Sequence, residues 1–276
     1  MATIVAVEMN KGGVGKTTTA FNVAKGLVRR GASVLAIDND PQGNFTTALV
    51  GAEADVLREA TEGTGATLNL YAEDGEGEVI PVEHGGLSVL GASPRLASVS
   101  GRGPETLALF RFALRRCAER GGYDYVVIDC QPGFGVTQAA ALHAADGLLL
   151  PTELGGDSVA GVALMVAAIE RSRKIGANEG LELIGVVRNK VQHPVVSVER
   201  YNEEHLTELY GEKLFRTVLP NSVRVRESMQ LGLAVAEYAT RARDHGVASA
   251  FDDLVDEFIE RTARQPEASL DATSTA

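Results

Sequence analysis

The chain has 276 residues, and 26 lysines and arginines against 37 aspartates and glutamates give it a formal net charge of −11. This length suffices for one large α/β domain or two small ones, and the charge excludes an overall basic surface for nucleic acid. No apolar run reaches the ~18 residues of a membrane span, and the start lacks a basic stretch followed by an apolar core, so a cytoplasmic protein is expected.

The first predicted elements are a buried strand, a glycine-rich loop and a helix. Residues 3–7 are apolar and largely β-branched, which is typical of a parallel sheet. Residues 11–18 read KGGVGKTT, and apolar residues then recur at helical spacing as far as Val28. In a P-loop of the pattern G-x-x-x-x-G-K-[ST], backbone amides surround phosphates, the lysine contacts β/γ oxygens and the hydroxyl contacts Mg²⁺. Here Asn10 takes the first glycine position, and a second lysine, Lys11, follows it.

Strands and helices alternate along the rest of the chain. The pattern predicts strands at residues 33–38, 87–90, 125–129, 148–150 and 183–187, and helices at residues 107–120, 159–169 and 247–259. Residues 51–86 are glycine-rich and acidic (Glu73, Asp74, Glu76 and Glu78), and we interpret them as a surface excursion that is helical around residues 55–60. We predict one α/β domain at residues 1–262, a doubly wound, mostly parallel sheet with helices on both faces, and a disordered polar tail at residues 263–276.

Acidic residues follow two of the predicted strands. Asp38 and Asp40 lie in the segment DNDPQGN at residues 38–44, and Asp129 ends the most apolar strand. A carboxylate near the γ-phosphate can orient water and the metal shell, and one at the end of a neighbouring strand can hold Mg²⁺ through water. Each acid could equally be an ordinary polar strand end.

The loop sequence KGGVGKTT resembles the deviant Walker A motif of the ParA/MinD family of ATPases. The resemblance extends to DNDPQGN, to residues 129–135 and to LPNSVRVRE at residues 219–227, and it spans roughly residues 3–240. Residues 129–135 depart from the family's D-C-P-P-S-L, because Gln131 replaces a proline and two glycines loosen the turn. The resemblance implies a P-loop NTPase fold, ATP and Mg²⁺ as cofactors, and an ATP-dependent sandwich homodimer.

The same resemblance implies roles for individual residues. Lys11 would reach the partner's nucleotide, Lys16 would neutralise the β/γ-phosphates of its own subunit, and Asp40 would position the attacking water. Thr17, Asp40 and Asp129 would hold Mg²⁺, with Asp38 nearby. The implied nucleotide-binding set is Lys11, Gly12, Gly13, Val14, Gly15, Lys16, Thr17, Thr18, Asn189 and Pro220. Asn189 could read the base with its amide or could cap a strand end.

The leading functional hypothesis is a ParA-like partitioning or positioning ATPase. By resemblance, its ATP dimer binds nonspecific DNA through Arg224 and Arg226, and a ParB-like or adaptor protein stimulates hydrolysis. Such a protein would be associated with the nucleoid and would move a plasmid, a chromosome region or another cargo. Other basic residues could extend the DNA contact or could be ordinary solvated side chains: Arg171, Arg173, Lys174, Arg188, Lys190, Arg200 and Arg216.

Two alternatives belong to different classes. A MinD-like membrane-cycling ATPase needs a basic amphipathic helix at its C-terminus, and residues 266–276 contain one leucine, two acids and no basic residue. An electron-transfer or ligase enzyme of the same fold could hold an iron–sulfur cluster on cysteines, but Cys117 and Cys130 are the only two. Cys117 lies on the apolar side of a predicted helix, which favours core packing. The five histidines lack metal-ligand spacing, so Mg²⁺ is the one metal expected.

Overall fold

The computed structural model describes residues 1–51, 53–72, 78–192, 194–239 and 244–263. The strands are β1 Thr3–Val7, β2 Val34–Asn39, β3 Val82–His84, β4 Leu87–Leu90, β5 Tyr125–Cys130, β6 Gly147–Thr152, β7 Glu182–Val191 and β8 Leu214–Pro220. The helices are α1 Lys16–Arg29, α2 Asn44–Val50, α3 Ala54–Glu62, α4 Glu105–Gly121, α5 Val136–Ala144, α6 Ser158–Lys174, α7 Ser197–Tyr210, α8 Val223–Gln230, α9 Val235–Tyr238 and α10 His245–Ala263.

These strands form one sheet in the order β3-β4-β2-β5-β1-β6-β7-β8. Every neighbouring pair is parallel except β3 and β4, which form an antiparallel edge. The inner strands are rich in valine, isoleucine and leucine because helices cover both of their faces. The predicted doubly wound, mostly parallel α/β fold is therefore confirmed. The loop after β1 lies at the middle of the sheet, between the ends of β5 and β6.

Each face of the sheet carries its own apolar core. On the first face, α4, α5, α6 and α7 bury residues such as Phe110, Met165 and Leu206. On the second face, α1, α2 and α10 bury residues such as Phe21 and Phe258. Because all strands except β3 run in the same direction, the loops at their carboxyl ends meet at one edge of the sheet. Ligands bind at this edge in this class of fold.

The strands and helices predicted from apolar periodicity are all present, and the missed elements have weaker patterns. The edge strand β8 was not predicted because its sequence, LFRTVLP, includes an arginine and a threonine that remain partly or fully exposed. The edge strand β3 has three residues and is only partly buried. Apolar periodicity did not predict helices α2, α5, α7, α8 and α9 either. Helix α5 is nearly apolar all round, so it shows no amphipathic stripe.

The excursion at residues 51–86 is only partly a surface segment. Its 3₁₀ helix, Thr67–Tyr71, buries Leu70 and Tyr71 completely. The Tyr71 hydroxyl donates a 2.8 Å hydrogen bond to Oδ1 of Asn39, and its ring lies 4.7 Å from that of Phe110. The interpretation as surface was wrong for these residues, because one tyrosine and one leucine complete the core beyond β2. Glu73, Asp74 and Glu76 lie outside the described residues, and Glu78 is exposed.

The domain and tail boundaries stay predictions. Helix α10 continues through Ala263, and residues 264–276 lie outside the described part of the chain, as does His193. Over the residues that are described, no helix combines the length and apolar character needed to cross a membrane. Cys117 is buried in the first core, as expected, and Cys130 is buried beside β1.

Candidate functional site

The glycine-rich loop joins β1 to α1 at the centre of the sheet. Gly13 and Gly15 have φ angles of 82° and 93°, which side chains other than glycine rarely adopt. Gly15 also lies so close to the Asn189 amide that a Cβ atom would collide with it. Val14 is buried and anchors the loop, since its carbonyl accepts a 2.8 Å hydrogen bond from Nδ2 of Asn189. The loop is thus held open around its backbone amides, next to the N-terminus of α1.

The two lysines of the loop occupy different environments. Lys16 is 6% exposed, and its Nζ donates a 2.9 Å hydrogen bond to the Lys11 carbonyl, across the loop. The side chain of Lys11 is about half exposed, and its Nζ lies 3.3 Å from Oδ2 of Asp157 at the start of α6. Lys16 therefore places its charge inside the loop, whereas Lys11 carries its charge on the surface.

Asp129 is the most strongly perturbed acid of the site. It is the last residue but one of β5, opposite Asp38 of β2, and it is 1% exposed. Its Oδ1 has no hydrogen-bond partner among the described residues. Burial, and then the charge of Asp38, raise its pKa well above the ordinary aspartate value, while contact with the Thr17 side chain opposes the shift. A buried oxygen without a partner beside a second carboxylate favours a bound cation.

Asp38 has a structural task. Its Oδ2 accepts hydrogen bonds from the Thr46 amide at 2.8 Å and the Thr46 hydroxyl at 2.7 Å, and its Oδ1 accepts one from the Asp40 amide at 3.1 Å. Complete burial raises its pKa to about 6 against the effect of these hydrogen bonds. Since both oxygens are engaged, Asp38 fixes the start of α2 and has less capacity for a metal than Asp129.

Asp40 lies on the loop between β2 and α2. Its Oδ1 accepts a 2.9 Å hydrogen bond from the Gln42 amide, and its carbonyl accepts one from Gly43 at 3.0 Å, so the turn is rigid. Its charge helps to raise the pKa of Asp129, which places the two carboxylates in the same electrostatic environment. The other oxygen of Asp40 is available for water or a metal shell.

Thr17, Asp40 and Asp129 fit the requirements of Mg²⁺. Magnesium takes oxygen ligands at hydroxyl and carboxylate groups and keeps several waters, and one or two carboxylates together with phosphates suffice. Within the described ranges, no group of three or more His, Cys, Asp or Glu side chains could hold a metal ion by itself. The orphaned Oδ1 of Asp129 is consistent with a metal that depends on the nucleotide for its remaining ligands.

A pocket of about 900 Å³ opens beside the loop. It is lined by Thr18 of α1, by Asn189 and Pro220 at the ends of β7 and β8, and by Val225 and Met229 of α8. The structure thus brings Asn189 and Pro220 together where a base could lie next to the phosphate loop. The Asn189 amide nitrogen, however, is already bound to the Val14 carbonyl, so its present task is to support the loop. Base reading by Asn189 stays a prediction.

The predicted DNA-contacting arginines lie on α8. Nη1 of Arg224 is 2.7 Å from Oε2 of Glu227, and its Nε is 3.2 Å from Oδ2 of Asp244. These two acids raise the pKa of Arg224 further above its ordinary value. Arg226 is exposed and lines the mouth of the 900 Å³ pocket. A phosphate that binds Arg224 therefore has to compete with two carboxylates.

Several other predicted basic residues are also held by intramolecular partners. Arg188 pairs with Glu203, Arg216 lies 2.8 Å from Glu260, and Arg173 donates to the Leu181 carbonyl at 2.6 Å. A phosphate that binds any of these three side chains therefore has to compete with a partner within the chain.

Sequence reasoning missed three acids and the contacts of one lysine. Glu8 directly follows β1, is fully buried, and burial raises its pKa to about 7. The loop after β6 carries Glu153 and Asp157, which pair with Lys190 and Lys11. Lys190 has a φ of 55° and donates to the Gly13 carbonyl of the phosphate loop. The position of Glu8 between an apolar strand and a glycine loop is a signal that the sequence contains. The sequence contains no comparable signal for the pairing of Glu153 and Asp157 with distant lysines.

Comparison with known proteins identifies relatives over most of the chain. A protein-family profile described as an AAA domain matches residues 2–183. The chromosome-partitioning ATPase Soj of Thermus thermophilus is 35% identical over 260 residues, which cover 93% of this chain and 95% of Soj.

Solved structures share the fold. Apo McdA from Cyanothece superposes with a TM-score of 0.76 at 22% identity, covering 93% of this chain and 99% of McdA. Cobyrinic acid a,c-diamide synthase from Mycobacterium smegmatis, solved with an ATP analog and magnesium, gives a TM-score of 0.72 at 23% identity and covers 96% of this chain and 98% of its own. At these identities the likeness establishes the architecture, and one fold carries different activities.

Proposed function

The chain belongs to the ParA/MinD family of deviant Walker A ATPases, and we propose that it is a partitioning or positioning ATPase that acts as an ATP-dependent sandwich dimer. In this proposal the ATP dimer binds DNA without sequence preference, and a ParB-like or adaptor protein stimulates hydrolysis and release. The cycle moves a plasmid, a chromosome region or another cargo over the nucleoid. The homology to Soj supports the partitioning class, and the choice of cargo is open.

The observation that carries the proposal is the difference in burial between the two lysines of the loop. Lys16 is buried and faces the Lys11 carbonyl, which suits a lysine that binds phosphates in its own subunit. Lys11 is at the surface, and only an exposed ion pair with Asp157 holds it. Exposed pairs of this kind contribute about 0–1 kcal/mol, so Lys11 can leave Asp157 for a phosphate of a second subunit at little cost.

The chemistry follows from the groups around the loop. The amides of residues 12–18 and the dipole of α1 bind the phosphates, and Lys16 offsets their charge. When bound, Mg²⁺ would supply positive charge against the negative charge of the phosphates. Thr17 and Asp129 would hold that ion, and Asp40 would orient the attacking water with its free oxygen.

DNA binding is proposed for Arg224 and Arg226. The chain is strongly acidic, so a phosphate backbone needs a local basic site, and Arg226 is exposed next to the nucleotide pocket. Arg224 is on the same helix, where the ion pairs with Glu227 and Asp244 make its availability sensitive to the conformation of α8.

The test is binding of the full chain to a nonspecific DNA duplex at moderate salt, with ATP, with ADP and without nucleotide. We expect binding with ATP only, and loss of that binding in Arg224→Glu. Arg116→Glu is the matched control, because Arg116 is an exposed arginine of α4 on the opposite face of the sheet. Absence of binding in all three states would refute DNA as the track, and equal losses in both variants would attribute the effect to net charge.

A further inference from the structure

Helices α4, α5 and α6 leave an apolar groove of about 630 Å³ on the first face of the sheet. Phe134, Leu164 and Ile175 are 64%, 50% and 68% exposed there. Exposed apolar residues are usually scattered one at a time over a protein surface, whereas these three line the same groove. The apolar part of the lining is Pro104, Leu107, Phe134, Leu142, Leu164 and Ile175, with several alanines between them, and the polar part is Gln138, His143, Arg171 and Ser172.

The groove carries positive charge at one end. Arg171 belongs to its lining, and Arg111 crosses from α4 to donate a 3.4 Å hydrogen bond to the carbonyl of Ala177, which also lines it. Helix α4 contains four arginines and two glutamates, and α6 contains three basic residues and one glutamate. Each of these two helices therefore carries a net positive charge, in a chain whose net charge is −11.

Helix α7 has complementary properties. Val198, Tyr201, His205 and Leu209 recur at three- and four-residue spacing and form one stripe on its surface. Val198, Tyr201 and Leu209 are 61%, 65% and 52% exposed, and the rings of Tyr201 and His205 stack 6.1 Å apart. The helix already packs against its own core through a different residue, Leu206.

The stripe of α7 lies among acids. The helix contains four glutamates and one arginine, and Glu204 and Glu208 are exposed next to Tyr201 and His205 along its surface. His205 lies 3.6 Å from Glu208. An acidic apolar helix and a basic apolar groove thus occur on one molecule, and nothing among the described residues covers either.

We propose that the α4–α5–α6 groove receives the α7 stripe of a second copy of this chain. Both surfaces lie on the same face of the sheet, so a twofold axis near α6 lets each copy insert its stripe into the groove of the other. The lining of the groove includes no residue of the glycine-rich loop 11–18, and the interface requires no ATP. A groove of this size with a charged rim fits a weak, reversible interface.

The concave shape and the matched charges favour a helix of this chain over a membrane surface. Lipid headgroups would engage the basic end, but they would leave the acidic stripe of α7 unexplained. Attraction between the acids of the α7 stripe and Arg171 in the groove favours the orientation that brings them together.

Sedimentation velocity of the full chain without nucleotide, from 1 to 100 µM, tests the interface. We expect the weight-average sedimentation coefficient of the wild-type chain to increase with concentration. Leu164→Glu and Tyr201→Glu should each raise the dissociation constant of self-association at least tenfold. Phe112→Glu is the matched control, because Phe112 is 63% exposed on α4 but does not line the groove. A wild-type chain that stays monomeric at 100 µM, or self-association unaffected by both variants, overturns the proposal.

A charge-reversal pair separates this contact from a general effect of surface charge. Arg171→Glu and Glu208→Lys should each weaken self-association several-fold, and the double variant should recover most of the loss. Failure of the double variant to recover refutes the pairing of these two surfaces.

Flotation with vesicles containing phosphatidylserine tests the membrane alternative. Vesicle binding by a monomeric chain that Leu164→Glu abolishes would assign the groove to lipid and overturn the proposal. Since no step uses ATP, the result is independent of the proposed function.

Discussion

The nucleotide loop and helix α8 both carry charged side chains, but those charges differ in how far other groups of the chain pair with them. Around the loop, Lys16 is buried with one carbonyl as its hydrogen-bond partner, and Asp129 keeps an oxygen with no partner among the described residues. On α8, the guanidinium of Arg224 is already bound to Glu227 and Asp244.

The contrast distinguishes a preorganised site from one that must rearrange. Buried polar atoms without partners are costly, so the loop region stores free energy that a phosphate or a cation can recover on binding. Arg224 already pairs with Glu227 and Asp244 within the chain. The free energy that a DNA phosphate gains from Arg224 is therefore only the difference between the new ion pair and the ion pairs that it replaces. Nucleotide binding should therefore depend strongly on single residues, and DNA binding should be more easily tuned.

The largest effect is expected from Lys16→Ala. Loss of charge-assisted hydrogen bonds to the phosphates, each contributing about 1.5–3 kcal/mol, should weaken ATP binding about 100-fold or more. Isothermal titration calorimetry with ATP and Mg²⁺ measures this loss. Wild-type affinity in the variant would refute the phosphate-loop assignment.

Lys11→Ala is the comparison that separates the two lysines. Because Lys11 lies on the surface, its removal should leave ATP affinity within a few-fold of wild type while it abolishes the ATP-dependent dimer in size-exclusion chromatography. An unchanged dimer would contradict the proposed contact with the second subunit.

Asp40→Ala should produce the next largest effect. Loss of the carboxylate that positions water should lower kcat about 100-fold, within the usual range for a general base, and should prolong the ATP dimer. Asp40→Asn retains an acceptor for the Gln42 amide, so an equal loss in both variants would assign the effect to the carboxylate charge. Turnover at the wild-type rate in either variant would show that another residue positions the water.

Glu8→Gln should stabilise the protein in a pH-dependent manner. Folding raises the pKa of Glu8 from 4.5 to about 7, so the folded state keeps its proton while the unfolded state loses it, and wild-type stability falls as the pH rises through this window. The variant avoids this loss and should gain on the order of 2 kcal/mol at pH 8. Urea unfolding at pH 4.5 and pH 8 measures both limits, and a gain that is equal at the two pH values would contradict the assignment to Glu8 ionisation.

The smallest effect is expected on the α8 side. Glu227→Gln removes one of the two charges that hold Arg224, so affinity for nonspecific DNA in the presence of ATP should rise about two- to fivefold. Glu119→Gln, an exposed acid on α4, controls for the change in net charge. Equal increases in the two variants would show that long-range charge, and not the release of Arg224, governs DNA affinity.

The elements with strong apolar patterns could be predicted from the sequence, and those that depend on distant partners could not. The run at residues 125–129 is apolar enough to be buried on both faces wherever it lies in the sheet, which made β5 predictable. Strand β8 is stabilised by its place at the edge beside β7, and Tyr71 is buried because the 3₁₀ helix meets Asn39 and Phe110. Neither contact leaves a periodic signal in the local sequence.

The candidate site divides in the same way. The motif of residues 11–18 specifies positive φ angles, amides and charges within one loop, so its role followed from local chemistry. The contacts that support or occupy these groups join distant residues, and spacing does not reveal them. Asn189 bonds to Val14, 175 positions away, and Lys11 pairs with Asp157, 146 positions away. Arg224 pairs with Asp244 on a segment beyond α8.

By itself, the sequence determined the phosphate loop, the alternation of strands and helices, and the acids at the strand ends, because each depends on a few neighbouring residues and on their burial. Only the tertiary structure decided which charges are neutralised, which buried oxygen lacks a partner, and where an apolar groove is left open. Those properties arise when parallel strands bring the ends of distant segments to one edge of the sheet and when helices pack side by side on its faces.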